Sequence, residues 1–365
     1  MSGSRTALSA LRREWFLGVA LAASLIFYVG IPATSTAALA VKTLCLFAVL
    51  MGCCLAVVRH AEHLATRLGA PYGTLLLTLA VTLIEVISIS ALMAHAGDEP
   101  ALARDTIFSV VMILLNFMVG ISLLAGGWRY REQLFNLQGA NAYLGVIIPL
   151  TVLSLILPSY TSTTAGPTLS GAQEVFVALV SIGLYTAFVA VQTVRHRGYF
   201  VLEEAAVHKT PSSLTLPPAL HAVLLASYMA PLVYLAEQLG EPVSELLHIC
   251  HAPPALGGIA IALLVATPEA LGAVRAALAN QLQRAMNIFM GSVLSTIGLT
   301  IPAMIVVSRV MGYDLVLGLQ NANAVMLILT LTVSLITFSS NRTNVLQGAV
   351  HLVLFGAYLM LIFEA

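Results

Sequence analysis

The chain alternates between long apolar runs and short polar segments over almost its whole length. Eleven runs reach or approach the ~20 residues that an α-helix needs to cross a hydrocarbon layer about 30 Å thick. They lie near residues 16–32, 39–58, 72–94, 106–126, 142–158, 171–194, 218–237, 255–274, 286–308, 321–338 and 345–363. Because backbone groups find no water in lipid, each run predicts a helix, and the period-two alternation of a barrel strand is not seen. The pattern predicts an all-α polytopic membrane protein with eleven transmembrane helices.

Composition agrees with this class. Apolar residues make up 59% of the chain and charged residues only 9%, outside the range of soluble domains. Sixteen basic residues balance sixteen acidic ones, so no net charge attracts nucleic acid. The first run follows Arg12 and Arg13 and precedes the small residues Ala38-Leu39-Ala40, which resembles a signal peptide. It is longer than the apolar region of a usual signal peptide, so we predict a retained helix.

The basic residues predict the orientation of the helices, because Lys and Arg accumulate in short cytoplasmic loops. With the N-terminus inside, thirteen of the sixteen basic residues fall in cytoplasmic segments, and only Lys42, Arg104 and Arg309 fall outside. We therefore predict a cytoplasmic N-terminus and an external C-terminus. The longest loop, residues 195–217, is cytoplasmic in this arrangement and contains the turn-forming segment TPSS, which is typical of a linker.

One phrase occurs twice in the chain. Residues 137–142 read LQGANA and residues 319–324 read LQNANA, each at the start of an apolar run. The phrases open the fifth and tenth helices, so the repeat unit has five helices, and an odd number of crossings gives the repeats opposite orientations. Inverted repeats of this kind recur in secondary transporters. The predicted organisation is a tail and extra helix (1–38), a first repeat (39–194), a linker (195–217) and a second repeat (218–365).

The duplicated phrase contains polar residues at equivalent positions. Gln138 and Asn141 in the first copy correspond to Gln320 and Asn323 in the second. We expect a two-fold rotation in the membrane plane to relate the two pairs. Capping of the helix ends is the preferred role for these side chains, and lining of a pore is the alternative.

Each predicted repeat carries one glutamate deep in an apolar helix. The third helix, GTLLLTLAVTLIEV, contains Glu85, and the eighth, GIAIALLVATPEAL, contains Glu269. The glutamates lie 184 residues apart, close to the 182 residues between the phrases. Each lies about 14 residues, or about 20 Å, into its helix, which predicts a position near the middle of the bilayer. An ionisable side chain there costs about 2.5–3.5 kcal/mol, which favours a functional role over packing.

Two such carboxylates without a cationic residue at the same depth are typical of a cation site. Carboxylates combined with neutral oxygens suit hard ions such as Ca²⁺. Pro268 disfavours helix at Thr267 and is expected to free carbonyl groups there for the ion. A single Ser or Thr in a membrane helix is more often a packing residue, so each hydroxyl alone is a weak indication. The candidate site consists of Glu85 and Glu269 as metal ligands with Thr78, Thr82, Asn116, Thr267, Ser292 and Thr296.

The pair of carboxylates predicts obligatory exchange. Two close carboxylates repel each other when no ion is bound, and protonation removes that repulsion. One Ca²⁺ or two H⁺ give the site the same net charge. The site can therefore change its access from one side of the membrane to the other when it is loaded, but not when it is empty. We predict a cation/proton antiporter without a cofactor, whose partners are the transported ions and membrane lipid. A passive channel is an alternative, whereas an intramembrane enzyme would need paired aspartates or a His-Glu-x-x-His motif, which the chain lacks.

The glutamate helices and the helices that follow them resemble those of a known family. Residues 72–126 and 255–308, with the stretch TPEALGAVRAALANQLQRAMNIFMGSVLSTIGLTIP, are similar to bacterial calcium/proton and sodium/proton antiporters of the cation/calcium exchanger superfamily. The resemblance covers almost the whole chain. It implies a location in the bacterial inner membrane, an added first helix, exchange glutamates on helices three and eight, and helices two and seven as a moving gate.

The chain departs from that family in two respects. The family's calcium/proton motif has Asn three residues before each glutamate, where this chain has Thr82 and Ala266. Two amide ligands are missing, so exchange of Ca²⁺ together with Na⁺ or K⁺ is expected, with a monovalent Na⁺(K⁺)/H⁺ antiporter as the alternative. The acidic cytoplasmic tract of many relatives is reduced to Glu203 and Glu204, so regulation by calcium at that tract is not implied.

Two pairs of histidines lie near predicted helix ends. His60 with His63, and His248 with His251, have a spacing that suits a metal, but neither pair has a clear third and fourth ligand. We interpret them as interfacial histidines, with a regulatory metal site or proton sensor as the alternative. Glu174, near the start of helix six, is likewise interpreted as a solvated residue at the external interface.

A further glutamate, Glu237, lies at the predicted end of helix seven. Carboxylates at such an interface are usually solvated, and that is the interpretation we adopt for Glu237. Attraction of cations toward the site is the alternative role.

Overall fold

Eleven helices make up almost all of the described part of the chain. The structure is a computed structural model that describes residues 14–30, 35–68, 72–95, 100–164, 166–201, 216–253, 255–312 and 314–364. The number of helices in these residues and the all-α class confirm the prediction. The helices are α1 Trp15–Val29, α2 Thr36–Leu68, α3 Tyr72–His95, α4 Leu102–Tyr130, α5 Leu137–Tyr160, α6 Gly171–Arg195, α7 Pro218–Ile249, α8 Ala255–Leu278, α9 Leu282–Met311, α10 Asn321–Thr337 and α11 Val345–Glu364.

Eight of these helices are long and apolar enough to cross a membrane, judged by length and composition. Within the described residues, the other three helices, α1, α3 and α10, give shorter apolar stretches at Trp15–Val29, Thr78–Met93 and Asn321–Thr337. The predicted linker, with Glu203, Glu204 and its TPSS segment, lies largely outside the described residues.

Two helices run well past the apolar segments that predicted them. α2 ends at Leu68 and α7 at Ile249, beyond the predicted ends at 58 and 237. An apolar run marks the part of a helix that suits lipid, whereas Arg, Glu, Gln and Leu favour helix equally well beyond it. His60 and Glu237 therefore lie inside helices, and their predicted positions at helix ends were wrong.

Four helices contain a turn that departs from α-helical geometry. π-helical turns span Ile113–Met118 in α4, Val152–Ile156 in α5, Val191–Arg195 in α6 and Thr296–Thr300 in α9. In α9 the turn precedes Pro302, which has no amide hydrogen for the α-helical bond. The turns of α4 and α9 contain Asn116 and Thr296, two of the predicted ligands, and π-helical turns are frequent at functional sites.

The duplicated phrase opens its two helices differently. Asn136 caps α5, because its side chain accepts hydrogen bonds from the backbone amides of Gln138 and Gly139. In the second copy α10 begins at Asn321, and Gln320 precedes it without a side-chain cap bond. The predicted capping by Gln138 was therefore wrong, because the residue just before the phrase supplies the cap in the first copy.

The helices form two compact units. α1, α2, α3 and α7 make up a four-helix unit, in which α2 and α7 pack together extensively and α3 packs on both. The remaining helices make up a seven-helix unit. Because α3 groups with α2 and α7, these units do not follow the predicted repeats at 39–194 and 218–365, and the repeat boundaries stay a prediction.

α4 and α9 are the most buried helices of the seven-helix unit, with α8 and α11 packed against α4. Gly348 allows α11 to approach α4 closely, because a Cβ atom there would lie 2.8 Å from the Gly120 carbonyl oxygen and 2.6 Å from the Leu124 nitrogen. Small residues at helix crossings are a common way to bring membrane helices together.

A short antiparallel ribbon joins two connections of the seven-helix unit. Strand β1, Glu132–Leu134, follows α4, and strand β2, Arg342–Asn344, precedes α11. Gln133 pairs with Thr343, and its side-chain amide donates a 2.8 Å hydrogen bond to the Ala277 carbonyl oxygen at the end of α8. Three-residue strands carry too little pattern for prediction from sequence.

Candidate functional site

Three of the predicted ligands in the predicted first repeat share one face of α3. Thr78, Thr82 and Glu85 follow one another at spacings of four and three residues, which places them along one side of the helix. Glu85 is 1% exposed and Thr82 is also buried, whereas Thr78 is half-buried. No described residue forms a hydrogen bond with the buried Thr82 hydroxyl. This face of α3 therefore presents a buried carboxylate and a hydroxyl group with capacity for a further partner.

The carboxylate of the predicted second repeat accepts a hydrogen bond from the helix that follows it. Glu269 is half-buried on α8, and the Ser292 hydroxyl of α9 donates a hydrogen bond to its carboxylate. A hydroxyl donor stabilises the ionised form of a carboxylate. The structure thus brings two predicted site residues into direct contact. Thr296 is buried one turn after Ser292, on the same side of α9.

Thr267 does not interrupt α8. The helix continues through Thr267 and Pro268, and the Thr267 hydroxyl donates a 2.5 Å hydrogen bond to the Leu263 carbonyl oxygen. The expected break at Thr267 was wrong, because membrane helices tolerate Pro when a Thr side chain bonds to the preceding turn. Pro268 still removes the amide that the Leu264 carbonyl would otherwise accept from, so one carbonyl in this turn lacks its usual helical donor.

Asn116 belongs to a separate polar network in the seven-helix unit. Its side-chain amide nitrogen donates a 2.9 Å hydrogen bond to the Thr330 hydroxyl, and its oxygen lies 3.3 Å from Nδ1 of His351. His351 is fully buried, and its Nε2 lies 3.0 Å from the Thr337 hydroxyl. The structure thus joins Asn116 to α10 and α11, and directs its oxygen at an imidazole.

Glu174 is paired with an arginine. Arg309 donates to one Glu174 carboxylate oxygen from Nε at 2.8 Å and from Nη2 at 2.6 Å, which ties α6 to α9. Glu174 is buried, so its interpretation as a solvated residue was wrong. The two residues are far apart in sequence, and no local pattern indicates that they meet. Glu237, in contrast, is exposed on α7.

The predicted histidine pairs have different environments. His60 is buried inside α2, whereas His63 is exposed. His248 and His251 are exposed at the end of α7. Within the described ranges, no group of three or more His, Cys, Asp or Glu side chains is placed to hold a metal ion.

The Ser292–Glu269 contact makes a testable prediction. Ser292→Ala removes the hydroxyl donor, and a hydrogen bond to a charged group contributes about 1.5–3 kcal/mol, so we expect the apparent cation affinity to fall about tenfold or more. Initial rates of cation uptake into vesicles at increasing cation concentration measure the effect. Ser295→Ala is the matched control, because the Ser295 hydroxyl donates to the Ser292 backbone oxygen. Equal affinities of the two variants would contradict a role for the Ser292 hydroxyl.

The fold and these residues define a class of protein. Eleven helices, most of them apolar enough to cross a membrane, carry buried carboxylates and hydroxyls within their spans. Ionisable residues at such positions are typical of the ion pathways of membrane transport proteins. The class is therefore a multi-pass α-helical membrane transporter.

Comparison with known proteins identifies the family. The family model described as "Sodium/calcium exchanger protein" matches residues 38–194 and again residues 220–364. The chain is 38% identical to the sodium-potassium/proton antiporter ChaA of Escherichia coli K12 over 371 residues, which covers 100% of both chains. It is 23% identical to the Ca²⁺/H⁺ antiporter ChaA of Bacillus subtilis 168 over 258 residues, 68% of this chain and 71% of the relative.

The fold also matches a solved structure. The structure of native YfkE superposes with a TM-score of 0.75 at 18% identity, covering 96% of this chain and 99% of that one. The chain belongs to the sodium/calcium exchanger family, within the cation/calcium exchanger superfamily, as the resemblance implied. It is a membrane antiporter and not an enzyme.

Proposed function

We propose that this chain exchanges metal cations for protons across the bacterial inner membrane by alternating access. The observation that carries the proposal is a glutamate within each of two apolar helices, the buried Glu85 on α3 and the half-buried Glu269 on α8, in a chain that belongs to an exchanger family. The full-length similarity to a sodium-potassium/proton antiporter supports proton coupling. The two separate matches to one family model support a five-helix repeat.

The transported cations are proposed to include Ca²⁺, Na⁺ and K⁺. A relative named as a Ca²⁺/H⁺ antiporter supports calcium, and the more similar relative is named for sodium and potassium. Thr82 and Ala266 occupy the positions three residues before the glutamates, so amide ligands that favour a divalent ion are missing there. A monovalent Na⁺(K⁺)/H⁺ antiporter is the second candidate, and the same two positions favour it.

Each glutamate is proposed to bind the cation in its ionised form and a proton in the alternate state. The Ser292 hydroxyl suits both states of Glu269, because a hydroxyl donates to a carboxylate and accepts from a carboxylic acid. Thr82 and Thr78 are proposed to add neutral oxygens on the α3 face, as Thr267 and Thr296 do on α8 and α9. Asn116 is proposed to contribute only if its contact with His351 opens.

Proteoliposomes test this function directly. An inward or outward pH gradient is imposed, and uptake of Ca²⁺, Na⁺ and K⁺ is measured separately together with the pH inside the vesicles. We expect the gradient to drive cation movement, and an opposing cation gradient to move protons. A protonophore should abolish the driven uptake. Dissipation of a cation gradient without proton movement would identify a channel instead, and contradict the proposal.

The termini are proposed to lie on opposite sides, with the N-terminus cytoplasmic and the C-terminus external. Contacts within the seven-helix unit support this topology. Glu174 with Arg309, and Arg104 with Gly318, join segments that are both predicted to be external. Strands β1 and β2 join two connections that are both predicted to be cytoplasmic.

A reporter fused to the C-terminus measures this topology. Alkaline phosphatase, which is active only outside the cytoplasm, is expected to be active when fused after Ala365, and green fluorescent protein there is expected to be dark. Fusions in the predicted cytoplasmic linker should give the opposite result. A fluorescent C-terminal fusion would contradict both the odd number of crossings and the inverted repeat.

A further inference from the structure

Two buried histidines face each other in the four-helix unit. Nδ1 of His60 on α2 lies 2.9 Å from Nδ1 of His221 on α7, and both side chains are buried. No sequence motif around His221 indicates a functional role. The spacing of His60 and His63 suggested that His60 pairs with His63 rather than with His221. The contact joins the C-terminal part of α2 to the first turn of α7.

The Nδ1–Nδ1 contact limits how many protons the pair can hold. A hydrogen bond between two ring nitrogens needs one of them protonated and the other bare. Two neutral imidazoles satisfy this, and so does a pair with one added proton, because the extra proton occupies an Nε2 atom. A second added proton would leave two N–H groups facing each other at hydrogen-bonding distance. The pair therefore stays closed with at most one added proton.

The groups around the pair make a closed pair with two added protons unfavourable, so the second proton favours opening. Glu14, before α1, accepts from the Tyr228 hydroxyl at 3.0 Å, and its Oε2 lies 3.5 Å from Nε2 of His60. Arg59 lies 2.5 Å from the same carboxylate oxygen and 3.3 Å from that Nε2. The one carboxylate is thus already matched by one guanidinium, so two added protons leave an excess of positive charge in a buried cluster.

Other ionisable groups reach the pair from the same helices. His63 on α2 stacks on the His221 ring with 4.6 Å between ring centroids. The positive charge of Arg67, one turn further along α2, opposes a further positive charge on His221. α3 packs on α2 and α7, and its ionisable residues are Tyr72, Glu85 and His95. Glu14 is the carboxylate that lies 3.5 Å from the His60 ring, whereas Glu62 on α2 is exposed and Glu85 lies on α3.

We propose that His60 and His221 form a proton-binding site, separate from the exchange carboxylates, that holds α2 and α7 together and releases them when both imidazoles are protonated. Imidazoles titrate in the physiological pH range, so acidification is the signal. Release of α2 from α7 affects transport through α3, because α3 packs on both helices and carries Glu85. Opening the pair disturbs the support of that helix and slows cation exchange.

The pairing itself is tested by nuclear magnetic resonance on protein with ¹⁵N-labelled histidine in lipid vesicles. A correlation between Nδ1 of His60 and Nδ1 of His221 is expected at about pH 8 and is lost at about pH 5. His221→Asn assigns the signal by removing it, and His63→Asn retains it as the matched control. Absence of the correlation at both pH values, or its persistence at about pH 5, would overturn the proposal.

The consequence for transport is tested at equal pH on both sides of the vesicle, by exchange of labelled for unlabelled Na⁺ at saturating concentration. Wild type and His63→Asn are expected to slow about fivefold between about pH 8 and about pH 5, the lower end of typical coupling between sites. The double variant His60→Asn/His221→Asn is expected to keep its rate, because Asn does not titrate.

An equal loss of rate in this double variant would place the acid effect at the carboxylates and overturn the regulatory role. His60→Gln/His221→Gln is the second variant if the first does not fold. The effect on transport rests on the proposed exchange activity, whereas the proton binding by the histidine pair does not. If the protein moved no cations, the resonance experiment would still decide whether the pair binds protons as described.

Discussion

Glu85→Gln and Glu269→Gln are each expected to reduce cation/proton exchange to the level of empty vesicles while the protein still folds. Gln preserves the size and hydrogen bonding of Glu but cannot bind and release a proton. A single remaining carboxylate cannot neutralise Ca²⁺ or carry two protons. We expect normal insertion into the membrane, because placing a neutral amide in the apolar part of a bilayer costs less free energy than placing an ionised carboxylate there.

Proton-driven uptake of Ca²⁺, Na⁺ and K⁺ into vesicles measures the effect, and thermal unfolding in detergent verifies the fold. Glu237→Gln is the matched control, because Glu237 is exposed on α7 and should retain exchange. In Glu269→Gln the Ser292 hydroxyl can still donate a hydrogen bond to the Gln side-chain oxygen, so a loss of exchange would come from the loss of the carboxylate. Normal exchange by a well-folded Glu85→Gln or Glu269→Gln protein would rule out the two-carboxylate mechanism.

Thr82→Asn is expected to keep exchange and to shift its preference toward Ca²⁺. Thr82 lies one helical turn before Glu85 on the same face of α3, and no described residue bonds to its buried hydroxyl. An amide carbonyl is a stronger neutral oxygen ligand than a hydroxyl, and it favours the more highly charged ion. We expect the ratio of Ca²⁺ to Na⁺ affinity to rise about tenfold, or ~1.4 kcal/mol.

Competition of Ca²⁺ with labelled Na⁺ at fixed pH on both sides measures this ratio. Thr186→Asn is the control, because Thr186 is exposed on α6 and its hydroxyl donates to the Ile182 carbonyl oxygen. The control should leave the ratio unchanged. An unchanged or lower ratio in folded Thr82→Asn protein would show that this position does not contribute a cation ligand.

Local sequence patterns were enough to predict much of this molecule. The length and apolarity of each run determine a helix in lipid, because a helix is the simplest way to satisfy the backbone of one segment by itself. The two glutamates stood out for a similarly local reason, since burying a carboxylate in an apolar helix is costly. The number of helices and the α-helical class were correctly predicted on this basis, and the exchanger family was correctly implied by the resemblance of residues 72–126 and 255–308 to that family.

Local patterns were less informative about helix ends. α2 and α7 continue through polar residues, which form helix readily outside lipid, so an apolar run underestimates their length. Pro268 was expected to disfavour helix at Thr267, but the Thr267 hydroxyl donates to the Leu263 carbonyl oxygen and the helix continues. In both cases the helix is stabilised by polar side chains, and a hydropathy pattern does not report how polar side chains affect helix stability.

Pairings between helices came only from the tertiary structure. Burial of a polar side chain requires a partner, and the partner is chosen by packing between segments that are distant in sequence. Arg309 therefore meets Glu174, and His60 meets His221, although Glu174 and His60 had been interpreted from the sequence without these partners. The sequence by itself determined the helices and the two glutamates, whereas the partners of the remaining buried polar groups were decided by which helices pack together.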